Sequence, residues 1–211
     1  MDAHERVRPY DASGRRESAR LRRDHVFDTA AELFGEHGFE ATTLSQIAAA
    51  AGVSVAYLQG LGSKAELFQA ALGSRATGGA GSLDGAADDL IAVAPTLPPR
   101  EALELLVVTT AAWNAGSHRL WRAWSRTSDD ELRRAWDGAM ARARREYRAW
   151  IDGLDRAGVR RDDVSIEEQV AGVWLLTMAE TYDQLVSVTG LTHDQYVSWL
   201  RRSLAELVLA R

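Results

Sequence analysis

The sequence predicts an all-α protein, and three observations carry that expectation. Alternating strand patterns are almost absent from the 211 residues, whereas apolar residues recur at helical spacing along most of the chain. Only four prolines occur, and three of them (Pro95, Pro98, Pro99) lie together. Ser/Thr-x-x-Glu/Gln boxes, which satisfy the orphan amides of a first helical turn, recur at Thr43, Ser63, Ser128, Ser165 and Thr192. Hydrophobic residues make up 46% of the chain, enough for a real core.

Residues 1–17 read as a flexible basic arm, either a solvated leader or a segment that contacts phosphates. Ser18 to His37 follows as a long helix. Leu21, Val26, Phe27, Ala30, Leu33 and Phe34 mark its buried stripe, and Gly38 stops it. Thr43 and Gln46 form the box that opens the next helix, in which Leu44, Ile47, Ala48 and Ala51 share a face. Gly52 supplies a left-handed turn residue, and Ser54 caps a third helix. A helix, a glycine turn and a second helix make a helix-turn-helix unit, which lays its second helix in the DNA major groove. Ser63 and Glu66 then open a fourth helix through Leu67, Phe68, Ala71 and Leu72.

Residues 77–82 are the expected break between an N-terminal unit, 18–76, and a second helical region, 83–211. A short helix over 83–94 is interrupted by the proline cluster, and Pro99 suits the first turn of the next helix. That helix is expected to break at Gly116 and Ser117. A Ser128–Glu131 box opens a helix running to Ala157, with Leu132, Trp136, Met140, Tyr147, Ile151 and Leu154 on one face. Ser165 and Thr192 open the last two helices, about 166–188 and 193–209. The first of these is apolar nearly all round, so something must cover every side of it. A second subunit is the simplest cover, which gives a homodimer built from the last two helices of each chain.

Charge is unevenly placed. The net charge is −5, yet Arg6 to Arg23 holds seven arginines against Asp11 and Glu17. Asp24 to Ala76 holds only Lys64 and Arg75 against six acids, and Val55–Gly62, the helix expected to read DNA, carries no charge. Cysteine is absent, which removes disulfides and thiolate metal sites and suits a reducing cytoplasm. The five histidines are scattered, and no HExxH, P-loop or GxSxG pattern occurs, so neither catalysis nor a metal or cofactor is expected. The longest apolar runs, near 105–113 and 170–179, are too short to span a bilayer.

A set of motifs gives these readings a family. Ala30, Leu33, Phe34, Gly38 and Phe39 precede Thr-Thr-Leu-x-x-Ile-Ala at 42–48, then Ala-Gly-Val-Ser at 51–54 and Ser-Lys-x-x-Leu-Phe at 63–68. Together they resemble the TetR family of bacterial transcription regulators. The segment Trp174–Leu207 is similar to the C-terminal part of many actinobacterial members. The resemblance implies an all-helical dimer, with DNA binding at the N-terminus and a ligand-sensing helical domain after it. Lys64 matches the family's phosphate-contacting lysine. The stretch between Ser54 and Ser63 is one residue shorter than is usual in the family. Leu58 and Leu61 hold its aromatic positions, and Tyr57 is out of phase by about 100° of helical rotation.

The candidate DNA-contacting residues are Arg22, Thr42, Thr43, Ser54, Ala56, Tyr57, Gln59 and Lys64. They combine hydroxyls near helix N-termini, cations for phosphate and an amide able to pair with adenine. The candidate ligand-binding residues are Trp113, Asn114, Trp136, Met140, Trp174, Thr177, Met178 and Tyr182, aromatic walls with a few orienting polar groups. Ordinary caps and core packing are the competing readings for both sets. The expected function is a ligand-responsive regulator, a repressor in form, with an operator duplex, a small-molecule effector and a second copy of itself as partners. The alternative is a degenerate member that binds a ligand or protein but has little specific hold on DNA.

Overall fold

The computed structural model describes residues 12–79 and 93–210. The N-terminal unit comprises α1 (Ala12–His37), α2 (Leu44–Ala51), α3 (Val55–Leu61) and α4 (Lys64–Thr77). A short 3-10 turn (Ala94–Thr96) leads into α5 (Pro99–Ser125) and α6 (Asp130–Arg156). Then come α7 (Ile166–Thr177), the single turn α8 (Ala179–Tyr182), which widens into a π-helical stretch (Asp183–Val188), and α9 (His193–Val208). The expected break at 80–82 and the short helix over 83–92 lie outside the described residues.

The local chemistry explains most boundaries. Capping boxes are formed at Thr43, Ser63, Ser165 and Thr192, each with both reciprocal hydrogen bonds. Pro99 occupies the first position of α5, where its missing amide costs nothing. Gly158 adopts φ 68°, a left-handed stop just beyond α6.

Five expectations need correction. Leu21, expected in the buried stripe of the first helix, is exposed, and that stripe begins at Val26. α1 begins at Ala12, six residues before Ser18, so the arginines from 15 onward sit on helix rather than on a loose arm. α5 runs unbroken through Gly116 and Ser117. Gly116 is a contact glycine: a Cβ there would collide with the backbone carbonyl of Arg75 in α4, so its lack of a side chain lets the two helices touch. The cap of α6 is Asp129, whose carboxylate accepts from the amides of Glu131 and Leu132, both at 3.0 Å. A carboxylate at the helix N-terminus also favours the macrodipole, and it displaces the Ser128–Glu131 box. Finally, the helix over 166–188 breaks at Met178, whose ψ of 143° is extended. Side chains take up carbonyls at the break: Asn114 Nδ2 donates to Thr177 O at 3.0 Å, and Thr181 Oγ1 donates to Leu175 O at 2.6 Å.

Two hydrophobic clusters hold the molecule together. The first joins Val26, Phe34, Ile47, Leu58 and Phe68 of the N-terminal unit to Leu120, Trp124 and Leu132 of α5 and α6. The second gathers Leu103, Val107, Ile151, Val173, Tyr196, Leu200 and Leu204. One helix, α5, feeds both: its first half lies in the second cluster and its last turns lie in the first.

Candidate nucleic-acid interface

α2 and α3 are bent 110° from one another, inside the range of helix-turn-helix units. Gly52 makes the bend at φ 65°, and its amide closes back on the Ala48 and Ala49 carbonyls. The Ser54 hydroxyl accepts from Tyr57 N at 3.1 Å and starts α3. Leu58 is fully buried and pins α3 to the core, with Val55, Tyr57 and Leu61 half-buried beside it. Ala56, Gln59 and Gly60 are left on the outer face. Leu58 thus anchors the helix, while Tyr57 lies beside α1 with the Arg22 guanidinium 5.9 Å from its ring centroid.

The eight candidate DNA-contacting residues divide. Arg22, Thr43, Ser54, Ala56 and Gln59 are exposed, and Tyr57 is half-buried. Thr42 is buried, and its hydroxyl donates to Gly38 O at 2.8 Å and Leu33 O at 3.2 Å. It ties the α1–α2 loop to α1 and has no face toward a ligand. The hydroxyls of Thr43 and Ser54 serve as caps. Lys64 is half-buried with Nζ 4.2 Å from the centroid of Phe39. Loss of solvent lowers its pKa, against the opposing pull of Glu40 and Asp129.

Glu40, which the sequence did not single out, joins this unit to the rest. Its Oε1 accepts from Thr127 Oγ1 and from Ser128 N, both at 2.7 Å, and from Ser128 Oγ at 3.2 Å. It therefore clasps the α5–α6 turn. Trp124 reinforces the same joint: its Nε1 donates to Leu132 O at 2.7 Å, and its ring meets Phe68 edge-on at 6.3 Å. A lone glutamate in a loop carries no periodic signal, so only the folded chain reveals this role.

The candidate ligand-binding residues also divide. Asn114, Thr177 and Tyr182 meet in one buried polar layer. Asn114 Nδ2 lies 3.4 Å from the Tyr196 hydroxyl, Tyr147 OH pairs with Thr177 Oγ1 at 2.8 Å, and Tyr182 meets Tyr196 edge-on at 4.8 Å. Burial pushes the Tyr196 phenol up to about 12, and the Tyr147 phenol upward as well. Trp174 is half-buried, with the Arg144 guanidinium 4.4 Å from its ring centroid, and its buried Nε1 has no hydrogen-bond partner among the described residues. Met178 lies at the helix break, and Trp113 and Met140 are half-buried. Trp136 belongs elsewhere: it packs on Trp121 and Trp124 at 5.4 and 5.3 Å, against the first cluster. Tyr147, Tyr196 and the buried Asp183, which pairs with Arg122 at 3.3 Å and faces His118 at 3.8 Å, complete a polar layer that periodicity alone reads as apolar core. Among the described residues no group of three or more His, Asp or Glu side chains is placed to hold a metal ion, and no single helix is long and apolar enough to cross a membrane.

The fold and this bent helix pair define a helix-turn-helix protein with a helical companion region. Residues 26–71 match the sequence model of the bacterial regulatory proteins of the tetR family. No curated protein sequence matches the chain. Solved structures share the whole fold at low identity. A protein of Saccharomonospora viridis in complex with choline is 20% identical, with a TM-score of 0.67 over 92% of this chain and 100% of its own. The transcriptional regulator FadR of Bacillus subtilis, in complex with stearoyl-CoA, is 16% identical with a TM-score of 0.66 over 87% and 96%. NalD of Pseudomonas aeruginosa, the secondary repressor of a multidrug efflux pump, is 18% identical with a TM-score of 0.67 over 92% and 98%. The family and these neighbours are regulators rather than enzymes.

Proposed function

We propose that the chain is a ligand-responsive repressor that binds an operator in the cytoplasm as a homodimer. The observation that carries this reading is the capped α2–turn–α3 unit, bent 110°, with Ala56, Gln59 and Gly60 facing outward. Gln59 is the side chain on that face able to pair with adenine, and the exposed Arg22 stands beside Tyr57 of the same helix. Thr43, Ser54, Tyr57 and Lys64 support the approach to phosphate. The dimer forms through the last two helical segments, 166–188 and 193–209, where Leu175 of α7 and Val188 at the end of the π-helical stretch stand exposed. The region 83–211 holds the effector beside the layer of Asn114, Thr177 and Tyr182, with Trp113, Met140, Trp174 and Met178 around it. Effector binding favours a dimer whose reading helices no longer match successive major grooves, about 34 Å apart.

The second reading, a relative with little specific DNA binding, draws on the uncharged α3. Fluorescence anisotropy separates the two. Duplex recovered by affinity selection from the neighbouring intergenic DNA is titrated at physiological salt against a scrambled duplex of equal length. A repressor prefers the selected duplex by at least about 1,000-fold. Equal, weak binding to both sinks the reading in favour of the second.

A further inference from the structure

Two buried polar atoms flank the break in the 166–188 segment, and neither has a hydrogen-bond partner among the described residues. They are Nε1 of Trp174, three residues before Thr177, and Oε2 of Glu180, three residues after it. A polar atom taken from water without a partner is costly, and a carboxylate oxygen most of all. The buried acid three residues further on, Asp183, has its partners: Arg122 at 3.3 Å and His118 at 3.8 Å.

The polar layer between the two atoms is satisfied from within. Asn114 Nδ2 donates to Thr177 O and lies near the Tyr196 hydroxyl, and Tyr147 OH pairs with Thr177 Oγ1. Those hydrogen bonds hold the break. The Trp174 ring has the Arg144 guanidinium over one face, so its N–H edge is what remains. α7, which carries Trp174, packs on α6, and α8, which carries Glu180, packs on α5. An indole N–H can only donate, and a carboxylate can only accept. A molecule that meets both atoms therefore brings a donor and an acceptor. The charge of the carboxylate chooses the donor: an ammonium N–H makes a charge-assisted bond, whereas an anion is repelled. A quaternary ammonium has the charge but no N–H for Oε2.

We propose that Glu180 and Trp174 form a recognition site for a protonated amine that also carries a hydrogen-bond acceptor. Oε2 of Glu180 accepts from the ammonium, and Nε1 of Trp174 donates to the acceptor. The proposal rests on the reading of the region 83–211 as effector-binding and names the chemical class of the effector. It also gives the unpaired carboxylate a reason: the free protein bears a cost in stability that the ligand relieves.

Tyramine is the probe, because it joins a protonated amine to a phenolic oxygen. 4-Propylphenol is its neutral counterpart, and 3-(4-hydroxyphenyl)propanoate is its anionic one. Calorimetry on the full chain at neutral pH, without DNA, is expected to show tyramine bound at least about 10-fold more tightly than 4-propylphenol, as a hydrogen bond to a charged group provides. The propanoate should bind least. Glu180→Gln should remove most of the preference for tyramine over 4-propylphenol. Trp174→Phe should weaken tyramine by about 5-fold and leave 2-phenylethylamine, which lacks the phenolic oxygen, unchanged. Glu180→Met exchanges the unpaired carboxylate for an apolar side chain of similar length, and it should raise the Tm of the free protein by about 2–4 °C. A Tm that does not rise overturns the proposal, since the carboxylate would then serve the fold. Tyramine binding that Glu180→Gln leaves unchanged overturns it too, as does equal or tighter binding of either counterpart, or no binding of tyramine at millimolar concentration. Anisotropy on the selected duplex keeps the two readings apart. Tyramine that binds through Glu180 yet leaves the DNA affinity unchanged upholds the site and sinks the effector reading.

Discussion

At the scale of single residues, two glycines in helices have opposite meanings. Gly116 sits where α5 presses on the backbone of α4, and Gly60 lies on the open face of α3 with nothing within 4 Å of an added Cβ. Gly116→Ala is therefore expected to destabilise the protein by about 1–3 kcal/mol, the usual cost of overpacking. Gly60→Ala is expected to stabilise it by up to about 1 kcal/mol, the helix propensity difference. Urea unfolding of the two variants checks both signs. Sequence patterns alone score the two alike, as helix weakeners, because propensity is blind to what a neighbouring helix brings close. Thr42 teaches the same lesson in polar terms. A threonine ahead of a helix reads as a cap or a phosphate ligand, but the burial of Thr42 within the α1–α2 loop turns its hydroxyl inward, onto the Gly38 and Leu33 carbonyls.

At the scale of elements, helix starts marked by a complete capping box were legible, whereas the start of α1 and the break at Met178 were not. The boxes at Thr43, Ser63, Ser165 and Thr192 are local chemistry, complete within four residues, and they form as read. The break at Met178 depends on Asn114, more than sixty residues away in sequence, which offers its amide to the Thr177 carbonyl. The joint between the α1–α2 loop and the α5–α6 turn is likewise non-local, and it makes a prediction about acid. Partial burial raises the Glu40 pKa, but hydrogen bonds from Ser128 and Thr127 prevail and hold it below its ordinary 4.5. A carboxyl with a depressed folded pKa contributes stability above its unfolded value and loses it as pH falls through the folded value. Stability should therefore fall as the pH drops below about 4.5. Glu104 and Glu168, also depressed, add to that fall. Glu40→Ala should cost about 1 kcal/mol at neutral pH, because the carboxylate is partly screened by solvent. Its difference from the parent should shrink toward zero in acid. Unfolding at neutral and acidic pH measures that difference.

At the scale of the whole molecule, the all-helical class and the N-terminal unit were readable because both rest on periodicity and short motifs. The effector region was less so. Eight residues chosen for their chemistry fall partly into one polar layer, while Trp136 joins the other cluster, since a tryptophan carries no mark of which core will bury it. The apolar α7–α8 segment makes the prediction at this scale. Leu175 and Val188 are 64% and 68% exposed, although they lie on the most apolar stretch of the C-terminal region. The double variant L175D/V188D should convert a dimer to a monomer in sedimentation equilibrium, with its helicity unchanged. A parent that sediments as a monomer would remove the basis for paired reading helices. The continuous α5 has a consequence of its own. It seats Leu103 and Val107 in one cluster and Leu120 and Trp124 in the other. A single residue inserted between those pairs would turn one end against the other by about 100° and lengthen the rod by about 1.5 Å. The helix thus fixes a phase as well as a distance. The number of residues between the two clusters is thereby fixed.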